Sequence, residues 1–251
     1  MRELILDIET CAVQNKIARC EIAATGIDAA LKKAIGACKK EEAIQARKDE
    51  FYADPNNSVR AGQAAIYKTA VSPISGEVFS VGILDVTASD PVCVFYRTDM
   101  GDVVPADREF DLEPLADERA LLVRALDYLT APGSSSRIIG FNVQAFDLHF
   151  LWVRACVHRI EARKVLYHLV HTRNEGTVLD LQRAFYRSYK PQAGESLDRM
   201  CKCLGVDGKG DGVSGSDVPR LIEDGEIGAV LEYAAQDVEI TRDAALAMGA
   251  I

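Results

Sequence analysis

Five residues far apart in the sequence are of types and spacings that could do chemistry together. Near the start, "ELILDIET" (residues 3–10) carries Asp7 and Glu9 inside an otherwise apolar run. Residues two apart in a strand point to the same face, so these carboxylates lie side by side while Leu6 and Ile8 take the other environment. Like charges held that close must share a cation or take up a proton, because burying them unpaired is costly. Solvated acids at an exposed strand end are the plain alternative. Near the other end, "EYAAQDVEITRD" sets Tyr233 and Asp237 four apart, which stacks them on one face of a helix about 5–6 Å apart at Cβ. Between these, "GFNVQAFD" brings Asp147 to the point where a buried strand gives way to a helix, a junction where ligands gather in α/β folds.

The elements that must position these residues are legible in outline. The apolar run around Asp7 and Glu9 predicts a first strand. From 14 to 50 the composition turns to Ala, Lys and Glu, with Ile27, Leu31, Ile35 and Cys38 at helical spacing, which predicts a helical insertion. "TGID" predicts a break with Asp28 as the cap of a second, longer helix that ends near "YADPNNS". "EVFSVGILDV" and "PVCVFYR" read as strands joined by a turn at "TASDP". "ADERALLVRALDYLT" reads as an amphipathic helix stopped by "APGSSS", which leads into the strand "RIIGFN" and then a helix from about Asp147. "TVLDLQRAF" and "SLDRMCKCLGV" read as helices, followed by a Gly-rich loop and two closing helices, the last carrying Tyr233 and Asp237. The sequence predicts an α/β protein with one domain over 1–251.

Composition narrows the class. At 251 residues and 48% hydrophobic the chain can bury a sizeable core. No apolar run approaches the roughly 20 residues of a membrane span, and no basic leader precedes the first strand, so the expectation is a cytoplasmic protein without membrane contact. Seven cysteines without a CxxC pair argue for reduced thiols, neither a disulfide framework nor a zinc site. The formal charge is −9, yet residues 137–205 hold eleven Lys and Arg against six Asp and Glu, together with all four histidines (149, 158, 168 and 171). A local basic face is therefore available for a polyanion, although ordinary solvated helix faces would look similar.

Taken in order, DxE on a first strand, "GFNVQAFD" at a strand-to-helix junction and YxxxD on a C-terminal helix resemble the DEDDy group of the DnaQ-like 3'-5' exonucleases. The tail "LGVDGKGDGVSGSDVPRLIEDGEIGAVLEYAAQDVEIT" is similar to that of the predicted exonucleases related to the proofreading domain of family B DNA polymerases. Each motif alone is weak; the three in this order, on these element types, are specific. The resemblance covers the chain except about 11–72. It implies a ribonuclease H-like mixed β-sheet flanked by helices. It implies that Asp7, Glu9, Asp147 and Asp237 are catalytic metal ligands, and that Tyr233 is a catalytic residue orienting the attacking water. Their hard oxygens suit Mg²⁺ or Mn²⁺, two ions in all. Thr10 and Asn142 match positions that contact the terminal nucleotide. Asp180 matches a supporting acid, for which a helix cap is an equally good reading. Lys209 reads best as a solvated surface lysine, and His149, two residues past Asp147, points elsewhere on its helix.

The implied activity is hydrolysis at the 3' end of single-stranded nucleic acid, DNA favoured over RNA, with release of nucleoside 5'-monophosphates. The helical insertion is expected to cover the substrate groove or to make a homodimer contact. Two rivals remain open. A binding or scaffold module could keep the fold without activity. A haloacid dehalogenase-like phosphatase would use "LILDIET" as its nucleophile strand, but that class wants Asp where Glu9 stands and a later strand ending in paired Asp, whereas Asp211 sits in the Gly-rich loop.

Overall fold

The computed structural model describes residues 1–88, 90–101, 103, 109–131, 135–187, 194–210 and 212–251. Asp211 and part of "APGSSS" lie outside the described residues. The chain forms two compact units, Met1–Thr10 with Val78–Ile251, and Cys11–Glu77.

The first unit is built on a mixed six-stranded sheet in the order β4-β3-β2-β1-β5-β6. Its strands are β1 (Arg2–Cys11), β2 (Glu77–Asp85), β3 (Cys93–Arg97), β4 (Asp111–Leu115), β5 (Ser136–Gly140) and β6 (Val178–Asp180). β5 runs parallel to both β1 and β6, while β2 and β3 are antiparallel. This is the helix-flanked mixed sheet that the ribonuclease H-like resemblance implies. Leu4, Leu6 and Ile8 of β1 join one core cluster with α4 (Glu118–Leu129) and α5 (Asp147–Val157). Alternation therefore turns Asp7 and Glu9 to the opposite face. α8 (Leu197–Leu204) and α9 (Val218–Glu223) pack against the long α10 (Ile227–Ala247), which also packs on β3.

Two glycines allow the close approaches that bring the site together. A Cβ on Gly82 would lie 2.8 Å from Val238 Cγ2 and 3.4 Å from the Ala234 carbonyl oxygen, so the bare backbone lets α10 settle on β2. A Cβ on Gly140 would lie 2.8 Å from the Leu6 carbonyl oxygen and 2.7 Å from Val143 Cβ, so the loop after β5 can fold back tightly beside β1.

Three expectations need correction here. "TVLDLQRAF" is not one helix: Val178–Asp180 is a fully buried parallel strand, and α7 (Leu181–Tyr186) follows it, with Asp180 as its cap. In the second unit "TGID" makes no break. α1 (Lys16–Ile35) runs through it from an Asn15 cap, and Gly26 serves as a contact point where α1 meets Ala61 and Ala65 of α3 (Pro55–Tyr67). The helical stretch also continues past residue 50: α2 (Glu41–Ala53) leads into α3, which Asp54 caps and Pro55 opens, and a 3₁₀ turn follows over Lys68–Val71. Among the described residues no helix is long and apolar enough to cross a membrane, and all seven cysteines are free thiols.

Candidate active site

β1 and α10 bring three of the predicted acids together. Carboxylate oxygens of Asp7, Glu9 and Asp237 lie within 4.8 Å of one another. Glu9 and Asp237 are buried, and Asp7 is half-buried with its Oδ2 hidden. Tyr233, one helical turn before Asp237, is also buried. Asp147 is the first residue of α5 and stands just outside the trio. Its Oδ1 accepts the backbone N–H of Ile8 at 3.0 Å, which pins the start of α5 to β1 between Asp7 and Glu9.

The loop that delivers Asp147 is braced from below. Asp180 accepts the backbone N–H groups of Asn142, Gln144 and Arg183, each at 3.2 Å, so it caps α7 and also holds the loop after β5. Asn142 sits in that loop with φ +58°, a left-handed conformation that asparagine tolerates better than most residues. Thr10 is buried directly after Glu9 on β1. Phe146 packs its ring against Phe150 at 5.7 Å and belongs to the core.

The electrostatics of this cluster are unbalanced. Burial, followed by the charge of Asp237, holds the Asp7 carboxyl well above the usual carboxylate range, and Lys209 pulls it partly back. Glu9 is raised in the same way by burial and then by Asp7 and Asp237. Asp147 is raised by burial and by Asp7, while its backbone hydrogen bonds act in the other direction. Asp237 is raised by burial, with Lys209 opposing. Two buried oxygens, Asp7 Oδ2 and Asp237 Oδ1, have no hydrogen-bond partner. Buried carboxylate oxygens without a donor are rare because each costs free energy unless something positive supplies the missing contact. The donor set, all hard oxygen and all acidic, fits a divalent cation.

Lys209 is not the solvated lysine that the sequence suggested. Its Nζ donates to the Tyr233 hydroxyl and to Asp237 Oδ2, both at 2.5 Å, and lies 4.5 Å from the centre of the Tyr233 ring. The Gly-rich loop carries it back over the start of α10, where Gly215 also comes close to the Tyr233 oxygen. A lysine between glycines has no periodicity to reveal such a return. Burial and the neighbouring carboxylates push the Tyr233 phenol far above its ordinary value of 10, so it remains protonated at neutral pH and keeps a proton to donate while its oxygen accepts from Lys209.

Sequence reasoning also missed a buried polar knot between α4, α5 and β2. Glu118, buried at the start of α4, accepts two bonds from Arg154 at 2.8 and 2.6 Å, the Val78 N–H at 2.8 Å and a contact from His158 Nε2 at 2.7 Å. It locks α4, α5 and β2 together, and every lone-pair direction it presents is used.

Residues 102–241 match a family model described as a predicted 3'-5' exonuclease related to the exonuclease domain of PolB. The match takes in Asn142, Asp147, Lys209, Tyr233 and Asp237, and begins after β1. An uncharacterised protein of Methanocaldococcus jannaschii is 33% identical over 107 residues, which are 42% of this chain and 56% of the relative, so the chain spans about half of that protein's length. With more than half of its residues inside the matched region, the chain belongs to the family of predicted 3'-5' exonucleases related to the exonuclease domain of PolB.

Proposed function

We propose that the protein is a divalent-cation-dependent 3'-5' exonuclease that shortens single-stranded nucleic acid, DNA in preference to RNA, and releases nucleoside 5'-monophosphates. The observation that carries this reading is the close trio of Asp7, Glu9 and Asp237, with two buried oxygens left without a donor. Family membership supports the direction of attack, and kinship with PolB supports DNA.

In this reading Asp7, Glu9, Asp147 and Asp237 would hold the cations, Mg²⁺ or Mn²⁺. When bound, such ions supply Lewis-acid stabilisation of charge on the attacked phosphate and make water easier to deprotonate. The chain's own residues do the rest. Tyr233, protonated throughout the working pH range, orients the attacking water by a hydrogen bond and does not act as a base. Lys209 holds the phenol and Asp237 in place, and its ammonium would be the group to meet a substrate phosphate oxygen. Thr10 and Asn142 receive the terminal nucleotide. A duplex end must fray before its 3' strand can reach carboxylates this deeply buried, which favours single strands.

The test is a 5'-labelled single strand with either a free 3'-hydroxyl or a 3'-phosphate. Stepwise shortening of the first in Mg²⁺ or Mn²⁺, with the second resistant, is the expected result. Equal digestion of a circular single strand would replace this reading with an endonuclease.

A further inference from the structure

Part of the basic, histidine-rich stretch noted in the sequence supplies Asn142, Asp147 and Asp180 to the site just described, and the rest lies outside it. In the structure that remainder forms an array of rings on α5 and α6 (Arg163–His171), half-buried at His149 and at Trp152, which packs against the core, and exposed at Tyr167 and His171. Trp152 stands at its centre, with ring centroids 5.9 Å from His149, 5.8 Å from Tyr167 and 5.8 Å from His171. Tyr167 and His171, one turn apart on α6, stack at 4.3 Å with planes 30° apart. The His171 Nδ1–H donates to the Tyr167 carbonyl at 2.7 Å, which fixes the imidazole ring in this pose. α6 is already anchored to the core by Leu166, Leu169 and Val170, so its outer rings are not needed to hold it. Tyr167 is 48% exposed, and His171 is exposed beside it.

Charge lies next to the rings. Arg183 and Arg187, with Glu175 and Ala184, line a polar cleft of about 470 Å³. Gln144 joins cleft, array and active-site loop. Its side-chain oxygen accepts from Arg183 at 2.8 Å, and its amide donates to the Leu169 and Thr172 carbonyls at 3.1 and 2.6 Å, at the end of α6 that carries His171. Gln144 itself lies two residues from Asn142 and three from Asp147. Along α5, Trp152 is five residues beyond Asp147, about 7.5 Å of helix rise.

We propose that the Trp152, Tyr167 and His171 rings, with the Arg183 and Arg187 cleft, are a second binding surface for single-stranded nucleic acid, lying upstream of the terminal nucleotide. The proposal rests on the exonuclease reading for where the 3' end sits. The exposed Tyr167 and His171 rings, backed by the half-buried Trp152, offer faces on which any base can stack, and arginines beside them meet the phosphates between bases, the combination by which sequence-tolerant single-strand sites work. A duplex keeps its base faces covered and gains only the charge. The surface would let a long strand remain attached while its 3' end advances.

Trp152 is the single tryptophan of the chain, so its fluorescence reports directly on this surface. The full-length protein in EDTA, titrated with a 12-nucleotide single strand carrying a dye for anisotropy, should show Trp152 quenching that follows the anisotropy. Tyr167→Ala should weaken binding roughly 5-fold to 140-fold, the range for loss of one stacked base, and Tyr167→Phe, which keeps the ring, should bind as the wild type does. With Mg²⁺ or Mn²⁺ present, the advantage in kcat/KM of the 12-mer over a dinucleotide should shrink in Tyr167→Ala. Binding without any change in Trp152 fluorescence, unaltered affinity in a folded Tyr167→Ala protein, or equal quenching by a blunt duplex would each overturn the proposal. If the array binds as expected but no strand is shortened with either cation, it is the exonuclease reading that fails and the surface that stands.

Discussion

Replacing Asp7 by asparagine should make the cation-free protein more stable, although it removes a group central to the site. Oxygens of Asp7, Glu9 and Asp237 lie within 4.8 Å of one another. Two full charges at that separation repel by about 3.5 kcal/mol at an effective dielectric constant near 20. One pair is counted, because the raised carboxyls share protons and Lys209 offsets part of the remaining charge. Burying an amide without full hydrogen bonding returns about 1–2 kcal/mol of that gain. The net is about 2 kcal/mol, or about 4–8 °C in Tm for a chain of this size. The pH dependence has a definite sign. Folded-state values raised above the ordinary 3.8 and 4.5 mean that the folded protein holds more protons than the unfolded chain, so its stability falls as pH climbs through that window. Thermal unfolding in EDTA should therefore show Asp7→Asn well above the wild type at pH 8, with the gap closing toward pH 4. Cation at 100 times its Kd should stabilise the wild type by about 2.7 kcal/mol and the variant far less, reversing the order. A variant less stable than the wild type in EDTA at pH 8, or a gap that widens toward acid, would refute the reasoning.

Lys209→Met removes an ammonium that competes with the cation for Asp237, so calorimetry should find Mn²⁺ binding tighter on the order of tenfold, or about 1.4 kcal/mol, together with lower stability in EDTA; unchanged affinity would mean that Lys209 does not contest the site. Tyr233→Phe should keep cation and substrate affinity while kcat falls on the order of 10–10³-fold, and the wild-type pH–rate profile should show no ionisation that disappears with the phenol. Glu118→Ala leaves the buried Arg154 guanidinium without its carboxylate, and chemical denaturation should register a loss of about 3–5 kcal/mol while cation affinity stays the same.

The acids were legible because their signals are local. An apolar strand that carries Asp7 and Glu9 at same-face positions, and a helix that repeats Tyr233 and Asp237 at one-turn spacing, need only the strand and helix periods to be read. The partner that neutralises them was not legible. Lys209 comes from a Gly-rich loop, and only the path of the backbone back over α10 brings it to Asp237. β6 was hidden because three residues, all buried, show no alternation and run straight into the helix-forming "LQRAF". β4 carries Pro114 and lies at the sheet edge, where neither a clean strand pattern nor full burial is required. Gly26 looked like a break and is a helix contact, a difference set by the Ala61 and Ala65 that face it. Asp180, equally readable as a cap or as a supporting acid, caps α7 and also holds the loop after β5.

The measurement closest to the central claim follows the order in which nucleotides leave. A linear single-stranded DNA labelled in its 3'-terminal nucleotide is incubated with the protein in Mg²⁺ or Mn²⁺ and, in parallel, in EDTA or with Asp237→Ala. The account predicts that the label appears first, as a nucleoside 5'-monophosphate, and that neither control releases it. Release of internal fragments ahead of the terminal label, or equal release in EDTA, would contradict it.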